Sequence, residues 1–171
     1  MTENRFGVNA PPFNGGRKID GFCVVVNDVW ASMKKYHKTL GWGPWKLWHA
    51  KPPNLSNTTF RGKEVHHTFE FAAAQVGPLV FELIQPVEGP SSYQEFLEEK
   101  GEGLQHMQAH FTDIKVVKGL LEEYDKAGIK VVQTGKFCGN EYFYLDTEPS
   151  LGSIFELLKV GDMISPDATY P

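Results

Sequence analysis

The chain has 171 residues, room for one domain with a sizeable apolar core or for two small modules that share one. Its 17 Lys and Arg against 21 Asp and Glu leave a net charge of −4 with no basic block, which excludes a charge-driven nucleic-acid binder. No run approaches the roughly 18 apolar residues of a membrane span, no secretory leader is visible in MTENRFGVNAPPFNGG, and two cysteines cannot build a disulfide framework, so a cytoplasmic setting is expected.

Residues 1–18 carry Gly and Pro without apolar periodicity and are expected to form an irregular arm. Ile19–Val26 is β-rich, and Asn27 or Asp28 then fits a helix N-cap. Val29, Met33, Tyr36 and Leu40 follow on one helical stripe, stopped by Gly41 and Gly43. A Trp-rich strand (Trp45, Leu47, Trp48), a loop over 51–59 and two strands near His66–Ala73 and Leu79–Gln85 complete the first half, 19–88. Ser92 and Glu95 fit a capping box for a connecting helix over 91–101. The second half, 104–160, reads as a strand at Leu104–Phe111, a helix capped by Asp113, then strands at Val131–Val132, Glu141–Leu145 and Ser153–Leu158. Residues 161–171 read as an irregular tail.

A repeat organises these elements. Ile19–Val29 aligns with Leu104–Ile114 at an offset of 85 residues, each running strand, acidic cap, helix; Phe81-Glu82-Leu83-Ile84 aligns with Phe155-Glu156-Leu157-Leu158. Each half is therefore β-α-β-β-β. The expected fold is α+β: two tandem modules forming one curved mixed sheet, helices outside, around an open barrel-like cleft.

Chemistry follows from the repeat. A lone strand glutamate usually faces solvent. Two at equivalent places in apolar strands point to convergence on a shared cation or substrate. His106, with Gln108 and His110 on the same strand face, adds an imidazole, and one imidazole with two carboxylates suits a divalent metal. The fourth place predicted by the repeat is Gly21, which has no ligating group. A three-residue turn at Gln75–Gly77 would set Glu70 opposite Glu82, as a further candidate base. Cys23 and Cys138 read as packing residues. Aromatic residues make up 13% of the chain. Most are expected in the core, with Trp45, Phe69, Phe71 and Tyr144 as candidates to wall a cleft.

Residues 79–86 (LVFELIQP), 96–113 (FLEEKGEGLQHMQAHFTD) and 144–158 (YLDTEPSLGSIFELL) resemble the vicinal oxygen chelate superfamily, the glyoxalase and methylmalonyl-CoA epimerase group. The resemblance implies metal ligands at Glu82, His106 and Glu156, with Gly21 in place of the first-strand histidine and His66 or His67 as a substitute donor. It implies a divalent ion (Co, Zn, Mn, Ni or Fe), or none where the ligand set has been lost. The activity it implies is an isomerase, an epimerase or racemase moving a proton beside a carbonyl through an enolate. Glu82, Glu156, His106 and Glu70 would be catalytic, and Trp45, Phe69, Phe71, Gln108, His110 and Tyr144 would bind an acyl-CoA or an aromatic ketone such as a dihydroisoflavone. The alternatives are a metal-free binder of planar aromatics, and a lyase or ring-cleaving dioxygenase. A small-molecule substrate and a homodimer are the expected partners.

Overall fold

The structure is a computed structural model that describes residues 18–171. The arm expected over 1–18 lies, apart from Lys18, outside the described residues. In chain order the elements are β1 (Gly21–Val25), α1 (Val29–Leu40), β2 (Trp45–Ala50), β3 (Leu55–Phe60), β4 (Lys63–Glu64), β5 (Thr68–Val76), β6 (Leu79–Glu88), α2 (Ser92–Lys100), β7 (Gly103–Phe111), α3 (Ile114–Lys126), β8 (Val131–Phe137), β9 (Asn140–Leu145), α4 (Glu148–Leu151), β10 (Ile154–Lys159) and β11 (Ala168–Tyr170). No described helix is long and apolar enough to cross a membrane.

The strands form one mixed sheet in the order β11-β2-β5-β6-β1-β7-β10-β9-β8-β3-β4. Its middle eight strands carry the repeat. β1 pairs in parallel with β6, β7 pairs in parallel with β10, and β1 and β7 meet antiparallel at the centre. The sheet curls into a half-barrel with α1 and α3 on its outer face. The helices start where side-chain caps dictate. Asp28 Oδ1 accepts from the Ala31 amide and Asp113 Oδ1 from the Lys115 amide. α1 sets Val29 and Met33 against Leu47, Ala72 and Leu83, and α3 sets Val117 and Leu120 against Leu145 and Leu157.

Three local expectations change. Part of the 51–59 loop is β3, which crosses to the second half and pairs with β8. The 161–171 tail is not wholly irregular, because β11 pairs with β2. β2 and β8 end the repeated core, and an uncovered strand edge invites unwanted pairing, so β11 and β3 each cover one. The cap of α2 is Ser91, whose hydroxyl accepts from the Gln94 amide, one residue before the capping box read from sequence.

Candidate active site

β5 and β6 are joined by a two-residue turn, Gly77-Pro78, with Val76 opposite Leu79. That register sets Ala73, not Glu70, opposite Glu82, and Glu70 opposite Gln85. An odd step reverses the face. Glu70 accordingly leaves the cleft and binds His49, whose Nδ1 lies 2.8 and 2.7 Å from its two carboxylate oxygens. Trp45 also falls on the outer, helix-covered face, fully buried with Tyr36 and Phe81, and its Nε1–H donates to the Trp42 carbonyl at 2.8 Å. Neither residue can act in the cleft. On β2 it is Trp48 that turns inward, stacked on Phe71.

The inner face brings Glu82, His106 and Glu156 together. β1 lies between β6 and β7, so Cys23 has Glu82 on one side and His106 on the other, three residues abreast on adjacent strands. One donor atom from each lies within 4.8 Å of the others. Glu156 enters from the next row, paired with Gln108 on β7. His106 Nε2 is 3.2 Å from Glu156 Oε2 and 3.9 Å from Glu82 Oε2. The closer contact is an ion pair rather than an aligned hydrogen bond, so the buried Glu156 Oε2 has no hydrogen-bond partner.

A bulge explains how His106 is held. His106 pairs with Cys23 but Leu104 pairs with Val24, so Gln105 is the extra residue on β7. A bulged residue leaves the strict alternation of faces, and Gln105 is buried beside its neighbour. His106 Nδ1–H donates to Gln105 Oε1 at 2.6 Å, while Gln105 Nε2 donates to Ser92 Oγ at 3.2 Å. This leaves Nε2 aimed at the carboxylates, as when a partner on the other ring nitrogen orients a metal-binding or proton-handling histidine.

The electrostatics call for a positive partner. Burial opposes a charged imidazole, but Cys23, Glu156 and Glu82 outweigh it and raise the His106 pKa well above its usual value. Burial pushes the Cys23 thiol up to about 11, so at neutral pH the carboxylates carry that effect. Burial also raises the Glu156 carboxyl, with His106 working against the rise. A proton on His106 or a metal ion can supply the cation this cluster needs.

The place of the missing first-strand histidine is filled. A Cβ on Gly21 would sit 2.6 Å from the Val80 carbonyl oxygen and 2.9 Å from Gln108 Nε2. Gln108 thus occupies that space; its Nε2 is buried and unpartnered, and its Oε1 accepts from His110 Nε2–H at 2.7 Å. His110 sits on the same strand face without lining the cleft. His67 does not substitute as a donor beside His106: its Nε2 faces the Tyr142 hydroxyl at 3.2 Å.

The cleft is lined by Phe69, Phe71, Glu82, Ile84, Tyr93, Phe137, Asn140, Tyr142, Tyr144, Glu156 and Leu158, with a solvent-accessible volume of about 50 Å³. α2 delivers Tyr93, whose hydroxyl is 2.7 Å from that of Tyr144, itself 3.4 Å from His106 Nε2. Sequence reasoning missed Cys23, Gln105 and Tyr93. For Cys23 a signal existed, since it lies two residues beyond Gly21 and so shares its face. The bulge at Gln105 has no sequence signature.

Residues 21–144 match the profile of the Glyoxalase/Bleomycin resistance protein/Dioxygenase superfamily. Among curated proteins, none matches the sequence. Several solved structures share the fold. A hypothetical protein from Bacillus halodurans C-125 is 17% identical with a TM-score of 0.62, covering 86% of this chain and 97% of that one. The methylmalonyl-CoA epimerase of Mycobacterium tuberculosis is 16% identical with a TM-score of 0.59, covering 84% and 88%. A variant of 4-hydroxymandelate synthase from Streptomyces coelicolor is 15% identical with a TM-score of 0.56, covering 90% of this chain and 42% of that one.

Proposed function

The chain belongs to the glyoxalase/bleomycin resistance protein/dioxygenase superfamily, and from that premise we propose that it is an isomerase, an epimerase or racemase moving a proton at a carbon beside a carbonyl. The observation that carries this reading is the buried Glu156 carboxylate facing an aromatic cleft beside Glu82, with its Oε2 3.2 Å from His106 Nε2 but in no aligned hydrogen bond. A buried carboxylate whose hydrogen bonding is incomplete is expensive to keep. Its raised pKa suits a group that takes a proton from carbon near neutral pH.

The residues fit a divalent ion. His106 Nε2, oriented by Gln105, and Glu82 are the donors of this reading, while Glu156 lies outside the mutually close donor group and is assigned the role of base. When bound, such an ion supplies Lewis acidity for a developing enolate oxygen. The protein's own groups do the rest. Glu156 removes the proton, and the walls formed by Phe69, Phe71 and Phe137 exclude water and strengthen every charge interaction within. The hydroxyl pair of Tyr93 and Tyr144 is pushed up in pKa by burial, stays neutral, and offers a donor beside His106.

Cleft size bears on the substrate. An apolar cavity that binds benzene is about 150 Å³, so a volume of about 50 Å³ admits a reacting carbonyl and its small substituents rather than a fused polyphenol. An acyl thioester with its bulk outside fits this better than a dihydroisoflavone. The same volume counts against a sequestering binder of planar aromatics.

The test is solvent-deuterium exchange into α-methyl-branched acyl-CoA thioesters, with and without chelator. Exchange by the wild type and its loss by roughly 10²–10⁴-fold in Glu156→Gln would support the reading. Full exchange in Glu156→Gln, or none by the wild type across the panel, would overturn it.

A further inference from the structure

The geometry points to Cys23 as the first-half metal donor that Gly21 cannot supply, giving a thiolate–imidazole–carboxylate cage of Cys23, His106 and Glu82 that selects Zn²⁺ or Co²⁺ over Mg²⁺. This rests on the reading that the site holds a divalent ion. It changes the ligand set, and it explains why Glu156 is left over.

Position comes first. The backbone ladders place Cys23 directly between Glu82 and His106, with all three side chains on the concave face. The donor atoms of these three lie within 4.8 Å of one another. Bonds of about 2.0–2.3 Å in a tetrahedral site put neighbouring donors about 3.3–3.8 Å apart. The 3.9 Å between His106 Nε2 and Glu82 Oε2 is already close to that edge, so a small contraction completes the cage.

The polar groups beside this row are left incomplete. Gln108 Nε2 is buried without an acceptor, and Glu156 Oε2 has only an unaligned ion-pair contact with His106, on the two residues that adjoin this row. Gln108, lying over Gly21, also blocks the alternative of a donor from that position. Cys23 is the side chain on β1 that can replace it, two residues along and on the same face.

The chemistry then follows. An uncoordinated thiol this deeply buried is inert as a nucleophile at neutral pH. Coordination releases its proton to solvent as the metal–sulfur bond forms. Thiolate and imidazole donors favour Zn²⁺ and its Co²⁺ surrogate, whereas Mg²⁺ demands an oxygen octahedron. Glu82 and Glu156 line the cleft and Cys23 does not, so three protein donors leave a fourth place open on the substrate side.

The experiment is a Co²⁺ titration of the chelator-stripped full chain under reducing conditions, followed by absorbance. A thiolate-to-cobalt charge-transfer band should grow in the wild type, in Cys138→Ser and in Glu156→Gln, and Zn²⁺ but not excess Mg²⁺ should abolish it. Cys23→Ser should lack the band and bind Co²⁺ roughly 100-fold or more weakly, beyond the 10–100-fold typical of an outer-shell loss. The band in Cys138→Ser assigns the sulfur even if Cys23→Ser fails to fold. Co²⁺ binding to the wild type without the band would overturn Cys23 as a ligand while leaving a metal site in place. No Co²⁺ binding would overturn both. The deuterium-exchange result is read separately, so loss of the isomerase reading does not erase the spectrum.

Discussion

In the first half of the sheet, β1 presents Gly21 and Cys23 beside Glu82; in the second, β7 presents His106 and Gln108 at the equivalent places beside Glu156. The backbone ladders match, since Cys23 pairs with Glu82 as Gln108 pairs with Glu156. The side chains do not. One half brings a thiol and an empty position, the other an imidazole and an amide that fills that position from across the ladder. Duplication therefore keeps the frame and the two carboxylates, and the chemistry is divided between them. One carboxylate stands in the donor row and the other just outside it.

The sharpest way to break this division is to neutralise each carboxylate in turn. Glu82→Gln should lose metal affinity and deuterium exchange together. Glu156→Gln should lose exchange by roughly 10²–10⁴-fold while keeping its metal content. Identical behaviour of the two variants, read by metal analysis and exchange, would make the halves equivalent again.

Restoring the symmetric histidine should fail structurally. In Gly21→His the new Cβ meets the Val80 carbonyl, a backbone atom that cannot swing away, as well as Gln108. Overpacking of this kind costs about 1–3 kcal/mol, measured as a lower urea midpoint at unchanged slope. Shortening Gln108 to Ala in the same chain should recover only part of it, because the Val80 contact remains.

His67 joins the halves through Tyr142, and burial, with His66 nearby, lowers its pKa to about 4. The unfolded chain holds it near 6.5. Between these values the unfolded state binds the extra proton, so stability falls as pH drops from 6.5 toward 4. Urea melts at pH 7 and pH 5 should show that loss, and His67→Gln should shrink the difference between them.

The smallest effect belongs to the outer face. Glu70→Gln breaks a part-exposed pair with His49 and should change stability by no more than about 1 kcal/mol and exchange not at all. A large loss of exchange would return Glu70 to the site.

Much of the frame was legible in the chain. Asp28 and Asp113 announce the two helices because a short acidic side chain answers free amides at a helix start. The 85-residue offset between Gly21 and His106 pairs the first strands of the two halves, and the second glutamate marks the end of each. Glu70 and Trp45 were placed in the cleft by a turn one residue too long and by composition. A single residue of register decides a strand residue's face, and turn length is weakly written in sequence. Tyr93 and β3 reach the site or the sheet edge through contacts across long stretches of chain, which no local pattern encodes.

By itself, the sequence determined the duplicated α+β frame and the starts of α1 and α3, and it pointed to Glu82, His106 and Glu156 as neighbours. Those depend on local caps and on a repeat visible in one dimension. Only the tertiary structure decided that Cys23 stands in the donor row, that Gln105 bulges to hold His106, and that Gln108 closes the space over Gly21. Each is a matter of which side chain faces which across a ladder, and that is set by pairing between residues 48 to 87 positions apart.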